Sequence, residues 1–160
     1  MISKQDLIKL LRKEFSTTLK VLQAYPADKN DFKPHERSSD VKQLTRTFVF
    51  EMYLCEMHLL GETVDRSKFQ TYQPDSVKTV AEDFEKESSK VIARLEQMPE
   101  GELAKTVNFA GREFVGDEFA LMMVHDQIHH RGQLTVYVRM AGGKVPSIYG
   151  PSADDKTTNL

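Results

Sequence analysis

The chain has 160 residues, 39% hydrophobic and 29% charged, with a formal net charge of −2, so it has no basic balance that would point to nucleic acid. A chain of this length buries roughly 70% of its unfolded surface, enough for one domain with a real core. The single cysteine, Cys55, excludes an intrachain disulfide framework; no apolar run is long enough to span a membrane, and residues 1–6 lack the apolar core of a signal peptide, so a cytoplasmic protein is expected.

Ser3 can cap a helix whose apolar positions Leu7, Leu10, Leu11, Phe15, Leu19 and Leu22 recur at helical spacing, and Tyr25-Pro26 ends it. Residues 26–37 carry Pro26, Pro34 and mixed charge without periodicity, which predicts a loop. Ser38 or Ser39 then opens a second helix to about Gly61, with Leu44, Phe48, Leu54 and Cys55 on one side. After a loop over 62–74, Ser76 caps a third helix along Val77, Val80, Phe84, Val91, Leu95 and Met98. Its Glu82, Asp83, Glu85, Lys86 and Glu87 read as a solvated face, and Pro99-Glu100-Gly101 stops it. Residues 103–114 predict an extended excursion or short hairpin around Ala110-Gly111. Asp117 caps a fourth helix to about Ala141, where Gly142-Gly143 ends it; an irregular segment to Pro151 and a frayed polar tail over 153–160 follow. Four amphipathic helices with loops between them predict an all-α four-helix bundle, one domain over residues 1–152.

The fourth helix holds the densest chemistry: His125, His129 and His130, three of the chain's five histidines. Advancing ~100° per residue from Phe119 places Met122, Met123, Leu134, Tyr137 and Met140 on one apolar face, with Asp126 and His130 among them. A carboxylate and an imidazole in such a stripe need partners. The second helix offers Thr47, Glu51 and His58 in the direction of Leu44, Leu54 and Cys55. Glu51, Asp126 and His130 would make a ligand set with open positions, suited to a divalent ion such as Zn, Ni, Mn or Fe. The same groups would equally form a buried Glu/Asp–His hydrogen-bond network without metal.

Other readings are blander. His125-Asp126-Gln127-Ile128-His129 resembles the zinc-protease pattern H-E-x-x-H, but Asp stands where the general base would be and no third ligand follows. Met52, Met57, Met122, Met123 and Met140 read as core filler, and Cys55 as an inert buried thiol. Arg131 and Arg139 read as surface or interface groups.

The run His129-His130-Arg131-Gly132-Gln133-Leu134, then Val136-Tyr137-Val138-Arg139, Gly142-Gly143-Lys144-Val145-Pro146 and Tyr149-Gly150-Pro151-Ser152, resembles the DinB-like superfamily. These are DNA-damage-inducible four-helix proteins that include thiol-dependent transferases. The resemblance implies a bundle, often dimeric, with a divalent metal held by three histidines, one from the second helix and two from the fourth at H-x-x-x-H. His130 matches the last of these. Asp126 stands where the preceding histidine would be, and Thr47 falls at the second-helix position; Glu51, one turn on, would supply the missing ligand.

Two functions follow. One is a metal-dependent enzyme acting on small molecules, a thiol transferase or hydrolase, with an altered metal site. The other is a non-catalytic stress-response or binding protein whose site has degenerated, or whose interior polar groups only fix helix register. A homodimer is expected, with a small molecule or low-molecular-weight thiol as substrate and neither nucleic acid nor membrane as partner.

Overall fold

The computed structural model describes residues 2–61, 67–99 and 101–156. Helix α1 spans Lys4–Gln23, with the Ser3 hydroxyl accepting from the Asp6 N–H, the capping that the sequence predicts. Helix α2 (Val41–Leu54) is capped by Asp40, which accepts from the Gln43 N–H, rather than by Ser38 or Ser39. It runs on into a wide π turn at Cys55–Leu59. A short helix α3 (Ser67–Thr71) interrupts what the sequence presents as loop; the rest of that loop, 62–66, lies outside the described residues. Helix α4 (Val77–Gln97) starts at the expected Ser76 cap, which accepts from the Thr79 N–H.

A 3-10 turn (Glu102–Ala104) leads into strands β1 (Thr106–Phe109) and β2 (Arg112–Val115), an antiparallel hairpin with Phe109 opposite Arg112. Its two-residue turn has positive φ at both Ala110 (51°) and Gly111 (77°), the geometry that lets a tight hairpin follow the strand twist. Helix α5 (Gly116–Met140) begins directly after β2. Asp117, expected as its cap, lies instead within the first turn, buried, accepting from the N–H groups of Glu118 and Ile2. Gly116 allows this abrupt entry: a Cβ there would stand 2.7 Å from the Leu103 carbonyl oxygen.

Helices α1 and α2 each pack against both α4 and α5, so a section across the bundle runs α1, α4, α2, α5. The all-α four-helix architecture with a hairpin before the last long helix is therefore the observed one. Phe84 sits at the centre, with Phe15 and Phe48 edge-on at 5.8 and 6.1 Å between ring centroids. At one end the hairpin closes over α5, where Phe109 and Phe114 pack on Phe119.

Polar side chains tie the irregular segments down. The hydroxyl of Tyr25 donates to the Lys29 carbonyl, that of Tyr72 to Asp83, and that of Tyr137 to the Ser39 carbonyl, each at 2.9 Å. The expected solvated face of α4 is only partly so: Glu87 is buried, beside a Glu56–Lys90 ion pair of 2.8 Å. The tail is ordered through Lys156, because Asp154 accepts from Arg139 and the Val145 N–H and Asp155 accepts from the Ser147 N–H; residues 157–160 lie outside the described residues. No helix among the described residues is long and apolar enough to cross a membrane.

Candidate metal centre

The buried side of α5 is rotated from the face that Phe119 suggests when taken as its centre. It runs Phe119, Met123, Gln127, Arg131, Leu134 and Val138, so Gln127 and Arg131 occupy the middle of the stripe. Asp126 and His130, one residue earlier in each turn, sit at its margin: Asp126 is half exposed and His130 about three-quarters buried. Met140, expected in the core, is 57% exposed. Phe119 lies at one edge of the buried stripe: at about 100° per residue Leu134, Gln127 and Val138 fall roughly 60–100° from it, so a face centred on Phe119 is turned by that much.

Even so, Glu51, Asp126 and His130 converge. One potential ligand atom from each lies within 4.8 Å of the others, a group that could hold a metal ion. Glu51 supplies the buried corner from α2. Gln127 donates from Nε2 to Glu51 Oε2 at 3.1 Å, while Oε1 is buried without a hydrogen-bond partner. Burial pushes the Glu51 carboxyl well above the ordinary carboxylate range; the Gln127 hydrogen bond pulls it back, and the charge and contact of the Asp126 carboxyl push it up again.

His130 Nε2 lies 3.6 Å from Asp126 Oδ1. Its other nitrogen, Nδ1, is 3.2 Å from Gln133 Oε1, and the Gln133 amide nitrogen is 3.0 Å from His129 Nε2. The Gln133 amide spans the two rings, and with His130 protonated at Nδ1 its carbonyl accepts from His130 while its NH₂ donates to His129. That tautomer leaves the Nε2 lone pair of His130 directed to the Asp126 side, as a metal ligand requires.

His58 does not join the group. A π turn behaves like one inserted residue, so everything after Cys55 lags by about 100° relative to a continuous α-helix. The imidazole is carried off the Glu51 direction and packs against Phe109 and Phe119, at 5.3 and 5.8 Å between ring centroids. Thr47 is half-buried one turn before Glu51. His125 and His129 are exposed, and with Phe109, Met122, Met123 and Asp126 they line an open groove of about 480 Å³ beside the triad. Cys55 is buried, and burial raises its thiol pKa, so it is no ready nucleophile.

The main residue that sequence reasoning misplaced is Arg131. Its guanidinium is 2% exposed, not on the surface. Nη2 donates to Glu14 Oε2 at 2.7 Å and to the Tyr149 hydroxyl; Nη1 donates to the Glu14 carbonyl at 3.1 Å and to Thr18 Oγ1 at 3.2 Å. The Tyr149 hydroxyl in turn donates to Glu14 Oε2 at 2.7 Å. The available signal was Glu14 itself, which lies one residue before Phe15 and so close to the apolar face of α1. Arg139 is exposed, as expected, and pairs with Asp154.

The sequence profile of the DinB family matches residues 1–159. The chain belongs to the DinB family. Among relatives, the uncharacterized protein YrdA of Bacillus subtilis is 32% identical over 83 residues, covering 51% of this chain and 50% of YrdA, so that match spans about half of the relative's length. The uncharacterized protein YjoA of the same organism is 27% identical over 121 residues, 72% of this chain and 75% of YjoA. The crystal structure of the DinB-like YjoA superposes with a TM-score of 0.68 at 24% identity, covering 86% of this chain and 92% of that one. A DinB-like protein from Bacillus cereus superposes at 0.79 with 22% identity, covering 91% and 97%. These structural likenesses speak to the fold, and the family membership rests on the profile.

Proposed function

We propose that this DinB family protein binds one divalent metal ion at Glu51, Asp126 and His130 and uses it to act on a small molecule, as a thiol transferase or hydrolase. The observation that carries the reading is the Glu51 carboxyl: fully buried, anchored through one oxygen, with the other unpartnered and beside two further ligand-type groups. A buried carboxyl in contact with a second carboxyl needs a proton or a cation between them, and the group at Glu51, Asp126 and His130 offers a cation its ligands. The donor set fits a borderline divalent ion. Metal–ligand bonds of about 2.0–2.2 Å put the ligand atoms of a tetrahedral site about 3.3–3.6 Å apart, so the three groups, which lie within 4.8 Å of one another, would draw together by up to roughly 1.5 Å on binding. Asp126 is half exposed and free to move that far.

A divalent ion there would supply positive charge that lowers the pKa of a thiol or water nucleophile. The chain's own residues do the rest. Glu51 holds the buried side, Gln133 keeps the His130 lone pair presented, and Asp126 borders both the triad and the groove. That groove, with Phe109, Met122 and Met123 on its walls, would receive the apolar part of a substrate beside the ion.

Elemental analysis of untagged protein purified without chelator tests the reading, in the wild type and an Asp126→Ala/His130→Ala double variant. One equivalent of metal in the wild type and none in the variant is expected. A wild type that stays metal-free after incubation with Zn²⁺, Ni²⁺ or Mn²⁺ would overturn it. That result would favour the second reading, a binding or stress-response protein with a degenerated site, which the Asp and Thr at positions 126 and 47 support. Metal retained in the double variant would move the site to His125 and His129.

A further inference from the structure

Arginine has hydrogens to donate and no acceptor, so the direction of every hydrogen bond leading away from a buried guanidinium is determined. Arg131 Nη1 donates to Thr18 Oγ1 at 3.2 Å, so the one hydroxyl hydrogen of Thr18 goes onward, to Gln127 Oε1 at 3.0 Å. That contact decides the orientation of the Gln127 amide, which side-chain shape alone leaves ambiguous. Its oxygen faces Thr18, its NH₂ faces Glu51, and Nε2 donates to Glu51 Oε2 at 3.1 Å. Relative exposures along this line are 2% for Arg131, 0% for Thr18 and 1% each for Gln127 and Glu51, so water does not compete with any link.

The line has a fixed origin. Arg131 is gripped by the carboxylate and the backbone carbonyl of Glu14, so its guanidinium cannot turn. It crosses three helices, with Thr18 on α1, Gln127 on α5 and Glu51 on α2, and ends on the side chain whose other oxygen lacks a partner. We propose that Arg131, through Thr18 and Gln127, selects which oxygen of Glu51 is presented to a metal ion: Oε2 is held as an acceptor and Oε1 is left for coordination. Thr18 and Gln127 are positioning residues for the centre. This deepens the metal-binding reading above and rests on it.

Thr18 is the discriminating position, because it reaches Glu51 only through Gln127. Thr18→Val keeps the shape and deletes the hydroxyl; Thr18→Ser keeps the hydroxyl. The test is titration of the untagged full-length chain with Zn²⁺ alone, in competition with a chromophoric chelator, for the wild type, Thr18→Val, Thr18→Ser and Gln127→Met. Far-ultraviolet circular dichroism checks the fold of each variant. Thr18→Val and Gln127→Met should weaken Zn²⁺ binding about 10- to 100-fold, as loss of a ligand's supporting hydrogen bond does, while Thr18→Ser stays close to wild type. Wild-type affinity in folded Thr18→Val overturns the proposal, as does an equal loss in Thr18→Val and Thr18→Ser. If Gln127→Met does not fold, the Thr18 pair decides alone. A wild type that takes up none of Zn²⁺, Ni²⁺ and Mn²⁺ defeats the metal reading itself, an outcome distinct from a wild type that binds and a Thr18→Val that is unaffected.

Discussion

Glu14 is 4% exposed, and the cation that answers its charge is Arg131. Arg131→Met would leave a buried carboxylate with only the Tyr149 hydroxyl, a loss of about 3–5 kcal/mol by the general cost of stranding one member of a buried pair. Urea denaturation should show it, and Arg131→Lys should not restore it. A single ammonium cannot serve the Glu14 carboxylate, the Glu14 carbonyl and Thr18 at once. Glu51 gives a pH signature of its own. Its raised pKa means the folded metal-free chain holds a proton that the unfolded chain releases near the ordinary glutamate value of about 4.3. The stabilisation is complete below that value and is lost as pH rises through the raised one, so the slope of stability against pH should be flatter in Glu51→Gln. An unchanged slope would contradict the protonation asymmetry. At this scale the sequence was readable for Glu51, a type rare on an apolar stripe, and less so for Asp126 and His130, which it places within the stripe and which lie at its margin. It was not readable for Gln127 or Arg131. Both belong to types usually exposed, and partner residues Glu14, Thr18 and Glu51, 76 to 117 positions away in the chain, satisfy them inside.

The long helices were legible from apolar spacing and the Ser3 and Ser76 caps, and the hairpin from Ala110-Gly111. The π turn was not, because no residue type marks an extra residue in a helical turn, and with it went the orientation of His58. The short α3 escaped for a related reason: Ser67–Thr71 is too short to show a period. The join between β2 and α5 makes a prediction at the scale of elements. Gly116→Ala would drive a methyl group against the Leu103 backbone carbonyl, which cannot yield as a side chain would. A cost of roughly 1–3 kcal/mol is expected, read as a thermal midpoint lowered by about 2–4 °C per kcal/mol in a chain of this size. Because α5 carries Asp126 and His130, the same variant should also weaken metal uptake. A midpoint equal to wild type would show that the entry to α5 relaxes freely.

Across the whole molecule, three helices and the segment after α5 meet on one buried polar seam. Glu14 and Thr18 come from α1, Glu51 from α2, Gln127 and Arg131 from α5, and Tyr149 from the irregular segment. The tyrosines that fasten the loops also give the fold an optical signature. The chain has five tyrosines and no tryptophan, so phenol rings dominate its near-ultraviolet absorbance. Burial raises Tyr25 to about 12; burial first and then the carboxylate each phenol touches also raise Tyr72, beside Asp83, and Tyr149, beside Glu14. These three phenols should therefore stay un-ionised in the native chain through the alkaline range near pH 10 where free phenols ionise. An absorbance titration should show phenolate appearing late in buffer and early in denaturant. The gap between the two curves would make hydroxide a graded, label-free reporter of whether the loops are still fastened.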